Sequence, residues 1–142
     1  MIRGRGRRIV AATASGFAGV GFAIPCIVGI RHLSKTGEVW QFLGFPTYGD
    51  GPFERIGIGT TVPLLAGFLA VCAAEAVLAV TIVHRSPWAA QASAALLPIE
   101  VAYWTGFALP VGFVLGVGRF VLLCPDLFGV GSSTSAITTR AQ

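Results

Sequence analysis

Three long apolar runs limit how this chain can fold more than any other feature of its sequence. Residues 9–30 contain no charged side chain, and residues 56–83 contain only one, Glu75. Residues 88–124 form a third run, interrupted only by Glu100 and Arg119. An α-helix rises about 1.5 Å per residue and a bilayer core is about 30 Å thick, so each run can cross a membrane. The pattern predicts an integral membrane protein.

The third run is too long for a single span, because as one helix it would reach about 55 Å. We expect it to turn back near residues 105–110, where Gly106 loosens the backbone and Pro110 suits the first turn of a new helix. The predicted fold is therefore an all-α bundle of four transmembrane helices, at about residues 9–30, 56–83, 88–104 and 107–124. These form one membrane domain, residues 1–124, with an outer loop at 31–55 and a mobile Ser/Thr-rich tail at 125–142.

The basic residues predict the orientation of this bundle. One side carries Arg31, Lys35 and Arg55. The other side is richer and carries Arg3, Arg5, Arg7, Arg8, Arg85 and Arg140. Since basic residues in short flanks favour the cytoplasmic side, both termini are expected in the cytoplasm and the protein in the plasma membrane. The N-terminal arginines at positions 3, 5, 7 and 8 are expected to contact anionic lipid head groups.

Composition argues against a soluble nucleic-acid-binding protein. Hydrophobic residues make up 54% of the chain and charged residues 11%, whereas about a quarter of the residues in soluble domains are charged. The net charge of +4 comes largely from the N-terminal arginines, not from basic residues interleaved with aromatics. Residues 23–26 loosely resemble a lipoprotein cleavage box, but more apolar runs follow, so the first run is expected to be a retained anchor.

Small residues recur at helical spacing in the first and last predicted helices. Ser15, Gly19 and Ala23 are spaced by four, and Gly112 and Gly116 form a GxxxG motif. Such residues allow close helix packing in membranes. The GxxxG face is expected to contact another helix of the same chain, with a second copy or another membrane protein as the alternative.

Glu75, Glu100 and Arg119 are the three charged residues inside the predicted spans. A charge at this depth costs several kcal/mol unless it is paired, so we expect the three side chains to converge in one layer of the bundle. One interpretation is structural, with Arg119 pinning helices together through ion pairs. The alternative is a site for a proton, a cation or the head group of a lipid-like ligand such as a quinone.

No grouping in the sequence indicates a catalytic or metal site. His32 and His84 flank opposite ends of the spans, so they cannot ligate one haem iron, and no metal-ligand cluster or nucleophile motif occurs. The outer loop, with Trp40 and Tyr48 expected at the membrane surface, is interpreted as a cover, with a lid over the bundle as the alternative. The first hypothesis is a non-enzymatic structural or accessory subunit without a cofactor. The alternatives are a small transporter and a quinone-binding membrane protein.

Overall fold

The apolar runs form the helices of a computed structural model that describes residues 2–128. Four long helices are present: α1 (Ile2–Thr36), α3 (Val62–Val83), α4 (Ala89–Gly106) and α5 (Pro110–Leu127). The loop after α1 contains two short antiparallel strands, β1 (Gln41–Phe42) and β2 (Phe45–Pro46), and a single helical turn, α2 (Pro52–Arg55). The protein is thus mostly helical, and α1, α3 and α5 are long and apolar enough to cross a membrane.

The helix boundaries differ from the prediction mainly at polar residues. α1 extends beyond residues 9–30 at both ends, because arginine and lysine are good helix formers and can continue a helix into water. α3 begins at Val62 and not near residue 56, because Gly57 adopts a left-handed φ of 86° and Thr61 then caps the new helix.

The last helix also departs from its predicted range. α5 begins at Pro110 and continues through Pro125 to Leu127, so the first residues of the predicted tail belong to this helix. The turn between α4 and α5 lies at residues 107–109, inside the predicted break, and Pro110 is in the first turn of α5. The rest of the predicted tail, from residue 129, lies outside the described residues.

Two apolar clusters lie at opposite ends of the bundle, and a polar layer separates them. We call the first the terminal-end cluster; its buried members are Ala11, Ala12, Leu78, Ile82, Ala89, Ala90 and Leu123. The second, the loop-end cluster, contains Cys26, Tyr48, Leu65, Phe68, Cys72, Trp104 and Phe107. α4 contributes to both clusters, at its beginning and at its end, so it runs the length of the bundle.

The loop after α1 closes the loop end of the bundle. Tyr48 is only 3% exposed, and its hydroxyl donates a hydrogen bond to the carbonyl oxygen of Phe22 at 2.9 Å. Its ring lies 5.4 Å from that of Phe68 and 5.3 Å from that of Phe107. Burial therefore raises the pKa of Tyr48 above its usual range. The expectation that Tyr48 lies at the membrane surface is wrong, because its ring fills the interior.

Large apolar side chains remain exposed along the outer faces of the helices. Phe17 is 63% exposed, Val114 73% and Val121 62%. Charged side chains, in contrast, are fully buried in the centre. This distribution, apolar outside and charged inside, suits a lipid environment better than water.

Candidate functional site

Arg119 of α5 is the centre of the buried polar layer. It holds Glu100 of α4 with two parallel hydrogen bonds, from Nη1 to Oε1 at 3.1 Å and from Nη2 to Oε2 at 2.7 Å. Nη1 also donates to Oε2 of Glu75 on α3. The three charged residues expected to converge therefore do so, and one guanidinium serves two carboxylates.

Two serines complete this layer. The Oγ atom of Ser93 on α4 accepts a hydrogen bond from Nε of Arg119 at 2.9 Å. Ser15 of α1 contacts Oε2 of Glu75, donates to its carbonyl oxygen at 2.9 Å, and lies 3.4 Å from Nη1 of Arg119. We call Ser15, Glu75, Ser93, Glu100 and Arg119 the charge cluster. Every long helix contributes at least one member, and Arg119 reaches the other three helices directly.

The charge cluster is closed to the surface of the bundle. Ser93, Glu100 and Arg119 are 0% exposed, Ser15 is 1% exposed and Glu75 2%. Oε1 of Glu75 is buried without a hydrogen-bond partner in the described part of the chain. Among the described residues the cluster is thus a sealed, nearly complete hydrogen-bond network with one open acceptor.

The sequence predicts the charges of this cluster but not its two hydroxyls. The residue spacing assigns Ser15 only to helix packing and gives no role to Ser93. A signal for Ser93 existed, because it lies seven residues, or two helical turns, before Glu100 and therefore on the same face of α4. A hydroxyl on the face of a buried charge is a natural partner for it, since each guanidinium N–H group needs an acceptor.

The GxxxG face of α5 packs inside the same chain. A Cβ atom added to Gly116 would lie 2.1 Å from the Trp104 ring, and one added to Gly112 would lie 2.5 Å from it. The missing side chains thus make room for the buried indole of α4. The space beside both glycines is filled by a side chain of the same protein, as the intramolecular interpretation expects.

The small-residue face of α1 packs against α3. A Cβ atom on Gly19 would lie 2.8 Å from the backbone of both Cys72 and Ala76, so these two helices touch through their main chains. Ser15 lies one turn before Gly19 and contacts Glu75, whereas Ala23, one turn after it, packs against the loop-end cluster. The predicted face therefore serves both close packing and the charge cluster.

At the terminal end, the basic start of α1 meets the end of α5. Arg8 lies 2.9 Å from Asp126, and Arg7 also pairs with this carboxylate. The two ends of the described chain are therefore on the same side of the bundle. Arg5 is exposed, while the side chain of Arg3 lies outside the described residues.

Apolar depressions open on the outer surface of the described residues. A groove of about 490 Å³ lies between α3 and α4; its lining includes Leu78, Trp88, Ala95, Leu96 and Ile99. A second, of about 360 Å³, lies between α1 and α3 and includes Thr13 and His84. No charge-cluster residue lines either depression, so neither leads directly to Arg119.

The described residues contain no group of three His, Cys, Asp or Glu side chains that could hold a metal ion. No protein-family model, no curated protein and no solved structure matches this chain. The fold and the site therefore define the class: a helical protein with three helices able to cross a membrane and a charge cluster sealed in its centre.

Proposed function

We propose that the chain is an integral membrane protein of four spans, with α4 as the fourth. Support comes from connectivity: α3 and α4 are joined through residues 84–88, and α4 and α5 through residues 107–109. α4 runs between the two end clusters, so if α3 and α5 cross the bilayer, α4 returns across it. Its buried Glu100 then finds a counter-charge on α5 and does not face lipid.

The proposed orientation places the terminal end of the bundle in the cytoplasm. This end carries Arg5, Arg7, Arg8 and Arg85, whereas Arg31, Lys35 and Arg55 lie on the side of the loop. The plasma membrane is the proposed location. Because Arg7 and Arg8 pair with Asp126, contact with anionic lipid head groups is assigned mainly to the exposed Arg5.

The proposed function is that of a non-enzymatic structural or accessory subunit. One observation carries it: Arg119 bonds to all three other long helices while being 0% exposed. A site that exchanges a ligand must be accessible to that ligand. Ion pairs that link helices are stronger when they are sealed from water, because water weakens them. The charge cluster is therefore assigned to holding the bundle in one arrangement. Its partner would be another membrane protein or a second copy.

The apolar groove between α3 and α4 supports a second candidate, a protein that binds a lipid-like molecule such as a quinone. Its lining includes Leu78, one turn from Glu75, and Ile99, adjacent to Glu100. An apolar tail could lie in this groove while its head group approaches the charge cluster. This candidate requires the cluster to open, since none of its members lines the groove.

Complementation of a deletion strain separates the two candidates. The structural assignment expects the charge-balanced variant Arg119→Leu/Glu100→Gln to restore the phenotype, provided that it folds. If the cluster is part of a ligand site, this variant should fold and stay inactive. Ala95→Phe, which fills the groove, should then also be inactive. Ala102→Phe, on an exposed part of α4 outside the groove, should remain active.

A further inference from the structure

The charge cluster contains two carboxylates and only one guanidinium. Glu75 and Glu100 both contact Arg119, and none of the three side chains is more than 3% exposed. An arginine keeps its charge in proteins, so with both carboxylates ionised the cluster would hold one uncompensated negative charge away from water. Burying such a charge is costly, and one bound proton removes it.

The two carboxyl groups are not equivalent. Glu100 presents both oxygens to the guanidinium fork, at 3.1 and 2.7 Å, which is the pairing that an ionised carboxylate makes. Glu75 uses only Oε2, and its buried Oε1 has no partner within residues 2–128. An ionised carboxylate carries charge on both oxygens, so an open buried oxygen suits a neutral acid better.

The contacts of Ser15 also indicate that Glu75 is the neutral acid. Its hydroxyl has one hydrogen but lies within reach of two acceptors, the carbonyl oxygen of Glu75 at 2.9 Å and Oε2 of the same residue. When the hydrogen is donated to the carbonyl oxygen, the contact with Oε2 needs a second hydrogen. A proton on Oε2 supplies it, because Oγ of Ser15 can then accept this hydrogen bond.

We propose that the charge cluster is a binding site for one proton, held by Glu75 at Oε2 and donated to Oγ of Ser15, beside an ionised Glu100–Arg119 pair. The proton is taken from solvent as the bundle folds. The polar groups around Glu75 are Ser15 from α1, Ser93 and Glu100 from α4, and Arg119 from α5, with the Cys72 thiol one turn away on α3. This inference rests on the proposed sealed, structural role of the cluster.

Infrared spectroscopy of the full chain in detergent tests the proton directly. The chain has only six Asp and Glu residues, and the four others are not fully buried, so a protonated carboxyl group at neutral pH is assignable. The wild type is expected to show one carboxylic-acid C=O band that shifts in D2O, and Glu75→Gln is expected to lack it. A wild type without such a band overturns the proposal.

A matched pair of isosteric variants tests which residue holds the proton. Glutamine resembles a neutral glutamic acid, so Glu75→Gln is expected to keep the melting temperature of the wild type. Glu100→Gln removes the charged partner of Arg119 and is expected to lower the melting temperature by on the order of 5–10 °C. A larger loss of melting temperature in Glu75→Gln than in Glu100→Gln would place the proton on Glu100. Equal stabilisation by both changes would mean that no proton is bound. Either result overturns the proposal.

The pH dependence of stability gives a second readout. If the fold keeps a proton that the unfolded chain releases, wild-type stability falls relative to Glu75→Gln as pH rises above the ordinary glutamate range. Parallel profiles of the two proteins would contradict the proposal. These measurements do not depend on what the protein does in the cell, so failure of the proton site is distinguishable from failure of the structural assignment, which complementation tests.

Discussion

Arg119 and Glu100 meet edge to edge through two parallel hydrogen bonds, and both side chains are 0% exposed. This fork fixes both the distance and the rotation between α4 and α5, since a planar guanidinium accepts a carboxylate in few orientations. The same guanidinium then reaches α1 and α3. A single side chain thus links all four long helices in one layer.

Removing one partner of this fork should cost more than removing both. Arg119→Leu leaves an ionised Glu100 buried without its counter-charge and is expected to lower the free energy of unfolding by on the order of 3 kcal/mol. Arg119→Leu/Glu100→Gln removes both charges and should recover most of that loss. Thermal unfolding in detergent measures both variants. A double variant as unstable as the single one would show that the two residues are not energetically coupled.

The convergence of the charges was predictable because a charge in a membrane span has few acceptable surroundings. Glu75, Glu100 and Arg119 had to face protein, and counting residues along each helix brought them into one layer. The close contacts of Gly112 and Gly116 were predictable from their spacing in the same way. Their partner, Trp104, was not predictable, because many side chains can fill the space above a GxxxG motif.

Tyr48 shows where sequence reasoning fails. A tyrosine in a polar loop next to a span suggests a ring at the membrane interface, and this expectation ignores how the loop folds. Residues 37–61 turn back over the bundle, and the ring enters the loop-end cluster while its hydroxyl finds the Phe22 carbonyl. Such long-range closure leaves no periodic signal in the sequence.

The hydroxyl and the ring of Tyr48 should contribute separately to stability. Tyr48→Phe removes the hydrogen bond to Phe22 and is expected to cost about 1 kcal/mol. Tyr48→Ala also removes the packing against Phe68 and Phe107 and should cost about 3–5 kcal/mol. Thermal unfolding measures both. Equal effects of the two changes would mean that the ring is not packed in the interior.

The proposed orientation is tested with two isosteric substitutions, Ser34→Cys at the loop end of α1 and Ser86→Cys in the α3–α4 turn. Both are made after replacing Cys26, Cys72 and Cys124, which are free thiols. An impermeant thiol reagent added to intact cells should label only the Ser34→Cys protein. Opening the cells should expose the second thiol. Labelling of Ser86→Cys alone in intact cells would invert the orientation.

Mild acid should loosen the loop before the bundle. Glu54 accepts hydrogen bonds from the Thr60 hydroxyl at 2.9 Å and from the Asp50 N–H group at 2.8 Å, and these bonds lower its pKa. A lowered folded-state pKa gives stability that is present above the ordinary glutamate value and is lost as pH falls through the folded value. Protease sensitivity of the loop should therefore rise with acid in the wild type. Glu54→Gln should already be sensitive at neutral pH and change less.

Two glycines of α5, two residues apart, offer a matched test of the packing. Gly116→Ala would place its methyl group 2.1 Å from the Trp104 ring, and this buried indole has little space to move. We expect α4 and α5 to separate slightly, at a cost of about 1–3 kcal/mol in the free energy of unfolding. Gly118→Ala meets nothing within 4 Å and should be neutral or slightly stabilising, because alanine favours a helix over glycine. Thermal unfolding of both variants in the same detergent gives the comparison. If the two changes had equal effects, α5 would not present Gly116 to Trp104, and the rotation that brings Arg119 into the charge cluster would be wrong as well.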